Sequence, residues 1–230
     1  YEEELEQVQK SIAGYNAGIA QNEQEIARLQ RELGDKQEKL RIGQTAYHRE
    51  SSRLESLKNI TERYDGYGNS IRKVMSNKDK EKGLIGVVAD IIKVDKEYEI
   101  AIETALGGSI QNIVTDNEDT AKRMIAFLKN NKFGRATFLP LTSMRGSGGI
   151  RNEEALREKG VIGLANTLVH VEKRFDGLAD QLLGRTIVVD TIDNGIMIAR
   201  KYRQSLRLVT LEGELINPGG SMTGGAFKNS

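Results

Sequence analysis

The sequence predicts a mixed α/β (α+β) protein in which a long coiled-coil helix precedes two pseudo-symmetric subdomains. Three observations carry this expectation. Apolar residues repeat on an unbroken 3,4 spacing through the N-terminal quarter. From Gly83 onward the pattern changes to short apolar runs bounded by glycine and alternating with helical stretches, as α/β domains require. One helix-strand-helix-strand pattern then occurs twice with the same punctuation.

The helix comes first. One heptad lane reads Leu5, Ile12, Ile19, Ile26, Leu33, Leu40, Tyr47 and Leu54, all apolar. Its companion reads Val8, Tyr15, Asn22, Leu29, Lys36, Gly43, Glu50 and Leu57, so the seam is interrupted on one side, where Asn22 and Lys36 are candidates for setting register. As one helix, residues 1 to 57 would extend roughly 85 Å. No proline precedes Pro140, although Gly14, Gly18, Gly34 and Gly43 each weaken a helix by about 1 kcal/mol relative to Ala. The stripe is two lanes wide and flanked by Glu, Gln, Lys and Arg, which favours a coiled coil over an amphipathic helix laid on the globular part. No second stretch carries comparable heptads, so the partner is expected to be another chain or a segment beyond Ser230.

In the globular part, strands are expected near 85 to 94, 110 to 115 and 135 to 140, with helices near 96 to 106 and 118 to 131. The polar, glycine-rich stretch from Thr142 to Gly149 lacks apolar periodicity and reads as a linker, taken as 142–152. It divides a first subdomain, 58–141, from a second, 153–227. The second is expected to hold a strand near 168 to 172, a helix near 175 to 183, a strand at 186 to 190, a helix near 192 to 203, and strands near 206 to 211 and 214 to 217. In one half Ile113-Val114-Thr115-Asp116 leads to Asp119, a basic helix and a strand opening with Arg135. In the other Ile187-Val188-Val189-Asp190 leads to Asp193, a basic helix and a strand opening near Arg207. Leu106-Gly107 and Leu183-Gly184 close the preceding helices, glycine at C′ permitting a left-handed turn. This is either a duplicated unit or the punctuation any two α/β units share.

Several classes of chemistry are excluded. The longest apolar run, Gly83 to Ala89, stops at Asp90 and falls far short of the roughly 18 residues of a membrane span. The opening Tyr1-Glu2-Glu3-Glu4-Leu5-Glu6 lacks both Met and the basic start of a signal peptide, and reads as part of a longer, cytoplasmic chain. Without Cys there are no disulfides, thiolate metal sites or cysteine nucleophiles. No Gly-Lys dipeptide exists for a nucleotide phosphate loop, and Gly146-Ser147-Gly148-Gly149-Ile150-Arg151 carries Arg where a dinucleotide fingerprint needs its last Gly. His48 lies in the helical repeat and His170 alternates with Val169 and Val171, so surface or packing roles are expected of both. Asp116/Asp119 and Asp190/Asp193 start helices, where capping is the better account than paired carboxylates. No catalytic residue, metal site or cofactor is assigned in this chain.

Its 34 basic and 33 acidic residues conceal an asymmetry. Between Thr120 and Asn152 stand Lys122, Arg123, Lys129, Lys132, Arg135, Arg145 and Arg151 without an acid; between Asn194 and Leu211 stand Arg200, Lys201, Arg203 and Arg207, again without one. Phosphate backbone is the natural ligand of such clusters. Few aromatics accompany them, so contact would be to backbone and independent of sequence. Stabilising helix C-termini is the second account of the same residues.

The stretch Asn217-Pro218-Gly219-Gly220-Ser221-Met222-Thr223-Gly224-Gly225 is the most distinctive in the chain. Its paired glycines permit positive φ or close backbone approach, and packing against another protein surface is favoured over a flexible tail because Leu215, Ile216 and Met222 are apolar. Together with the heptads, Glu62-Arg63-Tyr64-Asp65-Gly66-Tyr67, Gly83-Leu84-Ile85-Gly86-Val87-Val88, Leu106 to Val114 and Leu211 to Gly225, it resembles the hinge of structural maintenance of chromosomes (SMC) proteins, in their bacterial form, over residues 58 to 227. The heptads resemble the incoming arm.

The resemblance implies a hinge that forms a ring-shaped homodimer through strand edges, with Gly219, Gly220, Gly224 and Gly225 at the contact. It implies an antiparallel coil returning after Ser230, with 228–230 as its start. It implies a chromosome condensation and segregation protein associated with the nucleoid, whose ATPase heads, with ATP, Mg and kleisin-type partners, lie at the far end of the arms. Family hinges also contact DNA, but the basic residues above rest on charge counting alone. The alternative from another class is an α/β enzyme with a coiled-coil oligomerisation arm; a third reading is a spacer that does not touch DNA.

Overall fold

The computed structural model describes residues 1–63 and 67–226. Tyr64, Asp65 and Gly66 of the motif quoted above, and the arm start at 228–230, lie outside the described residues. The chain forms two compact units, Tyr1–Asn59 and Ile60–Ser230. The first is built on α1 (Glu2–Arg63), whose first turn holds Glu2, Glu3 and Glu4 at the positive end of the helix dipole. Along it Arg28 bridges Glu25 and Glu32, and Arg41 meets Glu38 at 2.6 Å, exposed pairs that contribute little individually. The apolar side chains of both lanes between Leu5 and Leu54 are 49% to 74% exposed. A Cβ on Gly14, Gly18, Gly34 or Gly43 would meet nothing within 4 Å. The seam is formed and carries no cover within its own unit.

The second unit opens with α2 (Asn69–Met75), β1 (Leu84–Val87), α3 (Val88–Ile91) and β2 (Lys93–Val94). A 3₁₀ turn (Lys96–Tyr98) runs into α4 (Glu99–Leu106), followed by a second 3₁₀ turn (Gly107–Gln111), β3 (Ile113–Thr115), α5 (Glu118–Asn131) and β4 (Phe138–Pro140). Then come β5 (Val161–Leu164), β6 (Val169–His170), α6 (Asp176–Leu183), β7 (Thr186–Val189), α7 (Ile192–Lys201), β8 (Arg207–Thr210), β9 (Leu215–Ile216) and β10 (Met222–Thr223).

The topology repeats. In the three-stranded sheet, ordered β1-β3-β4, β1 runs antiparallel to β3 and β3 parallel to β4. In the five-stranded sheet, β10-β9-β8-β7-β5, β5 runs antiparallel to β7 and β7 parallel to β8. Both first strands carry an irregularity at a glycine, Leu84/Gly86 and Val161/Gly163. The two remaining strands, one from each repeat, pair antiparallel with each other, Lys93 opposite His170 and Val94 opposite Val169.

Strand alternation sorts the core into three layers. Ile113 faces Ile71, Val74, Met75, Met124 and Leu128 of α2 and α5. Ile187 and Val189 face Ile198 and Ala199 of α7. Between the sheets, Val114 meets Val188, Val209 and the buried faces of α4 and α6, including Ile102, Ala105, Leu178 and Leu183.

Each repeat is fastened by one device. The Gly83 carbonyl accepts from Asp116 N at 2.8 Å, as Gly160 does from Asp190 N at 2.8 Å. A Cβ on Gly83 would overlap the Asp116 carboxylate and Thr120 hydroxyl; on Gly160 it would stand 2.5 Å from Asp190 Oδ1 and Asn194 Nδ2. Two residues before each glycine a glutamate reaches the neighbouring helix: Glu81 pairs with Arg123 at 3.0 Å, and Glu158 with Lys201 at 2.6 Å while accepting from the Tyr202 hydroxyl at 3.0 Å.

Several expectations are corrected. The strand expected over 85 to 94 is β1 and β2 separated by α3, because Val88 N turns to Asn112 O at 3.0 Å and Ile92 N closes a helical turn on Val88 O. The strand expected from 110 begins at Ile113, and the one from 135 at Phe138. Strands β5 and β10 were not expected. The N-caps are Asn117 and Thr191, whose side chains accept from Thr120 N and Asn194 N, while Asp116 and Asp190 bind the amides of those cap residues. Gly107 has a positive φ of 53 but with ψ −131 in place of the left-handed helical turn, and Gly184 has φ −69 and is a matter of space, since a Cβ there would overlap Asp180 O and lie 2.5 Å from Ser147 Oγ.

The glycine-rich stretch after Ser143 is tied down. Thr142 and Ser143 hydroxyls donate to Glu118 at 2.7 and 2.5 Å, Ser147 N donates to Asp180 Oδ2 at 3.1 Å, and Arg185 Nη2 donates to Ser147 O at 2.7 Å. The Met144 carbonyl lies so close to Gly177 that a Cβ would overlap it.

Gly177→Ala is therefore expected to lower unfolding free energy by about 1–3 kcal/mol in urea titration, while Gly108→Ala, where a Cβ meets nothing within 4 Å, leaves the midpoint unchanged.

Hydroxyl hydrogen bonds hold the Glu118 carboxyl below its ordinary 4.5, and Lys201 followed by Tyr202 does the same for Glu158. A depressed folded-state value means stabilisation fully present above the unfolded value and lost as pH falls through the folded one. Glu158→Gln should be less stable at neutral pH, with a shallower stability loss on acidification below 4.5; circular dichroism against pH at fixed urea measures both.

Candidate dimer edge and nucleic-acid surface

The four glycines of the C-terminal motif sit on the turn and flank of the β9–β10 hairpin. Asn217 N donates to Ser221 O at 2.9 Å and Gly220 N to Asn217 O at 2.9 Å, placing Ile216 opposite Met222 and Leu215 opposite Thr223. Gly219 N is anchored to Gln204 O at 2.7 Å. Gly219, Gly220 and Gly225 have φ of 93, 97 and 130, which L residues adopt at a cost. Within this chain a Cβ on Gly219 or Gly225 would meet nothing, whereas one on Gly224 would press on Glu214 Cγ at 3.2 Å. The result is an edge: β10 ends the five-stranded sheet, and Ser221, Met222 and Thr223 are exposed. At the other sheet β4 is terminal. It is the counterpart of β8, yet it carries no strand corresponding to β9 among the described residues.

The eleven counted basic residues fall into two groups. Lys122, Lys129, Lys132, Arg135, Arg145, Arg151, Arg200 and Arg203 are exposed and make no ion pair among the described residues. The other three are engaged: Arg123 with Glu81, Lys201 with Glu158, and half-buried Arg207 with Thr186 Oγ1 at 2.7 Å. Lys122 and Lys129 share the outer face of α5, whose buried face is Thr120, Ala121, Met124 and Leu128. Lys132 and Arg203 follow α5 and α7 in left-handed conformation, φ 54 and 55. Arg135 and Arg207 are not equivalent, for Arg207 heads β8 while Arg135 lies before β4. Arg185, which joins Arg151 and Arg207 around one pocket, escaped the count because Asp176 and Asp180 neutralise its stretch; an Arg placed at the head of a buried strand was the available signal.

His170 is exposed, its Nε2 3.3 Å from Asp95 Oδ1. Among the described residues no group of three or more His, Asp or Glu is placed to hold a metal ion, and no helix is long and apolar enough to cross a membrane. The sequence contains no Gly-Lys dipeptide, which a nucleotide phosphate loop requires.

The family model "SMC proteins Flexible Hinge Domain" matches residues 81–199. The chain is 36% identical over 98% of its length to the chromosome partition protein Smc of Clostridium kluyveri, and 40% identical over 78% to that of Halothermothrix orenii. It spans 19% and 15% of those relatives. Among solved structures it resembles an asymmetric dimer of the Geobacillus stearothermophilus SMC hinge domain, with TM-score 0.68 and 34% identity over 79% of this chain and 75% of that one. It also resembles the Pyrococcus furiosus SMC hinge domain, with TM-score 0.58 and 30% identity over 76% and 89%. With more than half its length inside that family model and its fold shared with two such structures, the chain belongs to the SMC flexible hinge family.

Proposed function

We propose that this chain is the dimerisation hinge of a chromosome condensation and segregation protein, joining two coiled-coil arms and contacting DNA without sequence preference. The observation that carries the reading is the pair of unlike strand edges, β10 exposed on one sheet and β4 bare on the other. An unpaired edge is a template for strand addition. The β10 edge of one copy is offered where the β4 edge of a second copy lacks its β9 counterpart, with Gly219, Gly220, Gly224 and Gly225 keeping the approach free of side chains. That the Geobacillus stearothermophilus SMC hinge domain forms an asymmetric dimer in its crystal structure supports pairing of two copies.

Residues 58–141 and 153–227 are the two subdomains of this hinge, tied by 142–152. Residues 1–57 are one arm, whose exposed lanes take an antiparallel helix returning after Ser230. The basic residues supply the DNA surface, led by Lys122, Lys129, Lys132 and Arg135 on one repeat and Arg200 and Arg203 on the other. The remaining counted cations, Arg123, Lys201, Arg207, Arg145 and Arg151, contribute less or differently. Kleisin-type partners belong at the distant heads, and the location is the cytoplasm, on the nucleoid.

Sedimentation velocity tests the edge. Replacing Gly220 and Gly225 by Val should give a folded monomer; an unchanged dimer mass rejects the assignment. DNA affinity should fall by orders of magnitude between roughly 50 and 200 mM salt. Reversing Lys129, Lys132 and Arg135 to Glu should weaken every DNA sequence equally and flatten the salt slope, with the dimer intact. If those changes lower the thermal midpoint and leave binding untouched, the helix-dipole account wins. Joining the returning helix to the chain should slow amide exchange between Leu5 and Leu57, since an isolated helix draws little from propensity.

A further inference from the structure

At the entrance to β7 and β8 lies an open pocket of about 540 Å³. Three arginines line it, Arg151, Arg185 and Arg207, together with Ser205 and Pro218, and no carboxylate does. Arg207 is half-buried, and among the described residues its side chain donates to the neutral Thr186 hydroxyl. Burial pushes its guanidinium down, with no carboxylate offsetting the effect. Arg185 likewise spends one N–H on a neutral acceptor, Ser147 O. None of the three makes an ion pair among the described residues.

Of the three only Arg207 is partly buried, Arg151 and Arg185 being exposed; its partly desolvated charge without a counter-ion is costly, and the fold does not require it here. The first repeat pairs the same strands in the same register, Ile113 with Phe138 as Ile187 with Leu208. At the places of Arg185 and Arg207 it has Gln111 and Thr137, both neutral. The cations are therefore an addition peculiar to the second repeat, converging on a cavity large enough for a polyatomic anion. Guanidinium presents paired N–H donors in the geometry that phosphate oxygens accept.

We infer that this pocket binds a phosphate group, with Arg185 and Arg207 as its principal ligands and Arg151 at its rim. The group is either a backbone phosphate of DNA or a free phosphate; only the first source rests on the DNA contact proposed above. Pro218 opens the glycine motif, so an occupant would sit beside the strap that leads to β10.

The test uses the whole chain with Arg185→Gln and Arg207→Gln, singly and together, glutamine keeping a donor for Thr186. Inorganic phosphate is titrated at constant ionic strength against chloride while the arginine Nε–H resonances are followed. A short fluorescent duplex is titrated at low salt. Saturable shifts at Arg185 and Arg207 are expected, with phosphate affinity at least about 10-fold weaker in the double variant, and no drop in its thermal midpoint in chloride. Weaker DNA binding in the same variants identifies the DNA backbone as source. Phosphate saturation with DNA affinity unaltered identifies free phosphate, and phosphate saturation in a protein that binds no DNA keeps the pocket while removing the DNA reading. Absent phosphate saturation together with unchanged DNA affinity in the double variant overturns the pocket and leaves the surface around Lys129 standing.

Discussion

One apolar layer that neither repeat can cover alone holds the second unit together. Val114 on one sheet and Val188 and Val209 on the other turn toward each other, and α4 and α6 fill the space between. The opposite face of each sheet has its own helices, α2 and α5 or α7. Only the central layer demands both halves. Its burial fixes their relative placement, and the pairing of β2 with β6 follows from it, since a ribbon of two-residue strands has no independent stability. Met144 and Ser147 of the strap then need only lie against α6 and the residue after it, which Gly177 and Gly184 allow by having no side chain.

What was legible in the sequence was what rests on local pattern. Helix α5 falls on the expected 118 to 131 because amphipathic periodicity and an Asn cap agree. The repeat of Ile113 to Asp119 in Ile187 to Asp193 is visible for the same reason. Strand β1 was overdrawn because the apolar run to Ala89, resumed by Ile91 and Ile92 after Asp90, suits a strand and a buried helical turn alike. The short β5 and β10, each broken or bordered by glycine, give periodicity too little length to act on. The deeper equivalence of Gly83 with Gly160 was invisible, since its meaning lies in side chains thirty or more residues ahead in each case.

Charge was legible as quantity and not as disposition. Counting found the cations but not that Arg123 and Lys201 are neutralised from 42 and 43 residues away by Glu81 and Glu158. It passed over Arg185, whose neighbour in sequence Asp180 accepts from Ser147 N instead. Repetition of the fold and repetition of the charge pattern are thus separate matters. The repeats share glycine, aspartate and glutamate fasteners, and differ in which residues head β4 and β8.

The unlike ends of the two sheets have a mechanical consequence. A two-fold pair built as proposed would contain the same contact twice, because the extended edge of each copy would face the bare edge of the other. Two short contacts in parallel hold through avidity: when one parts, the other keeps its ends at high effective concentration, and closure is faster than escape. Such a joint behaves as a latch with two bolts, able to release either side without the copies separating.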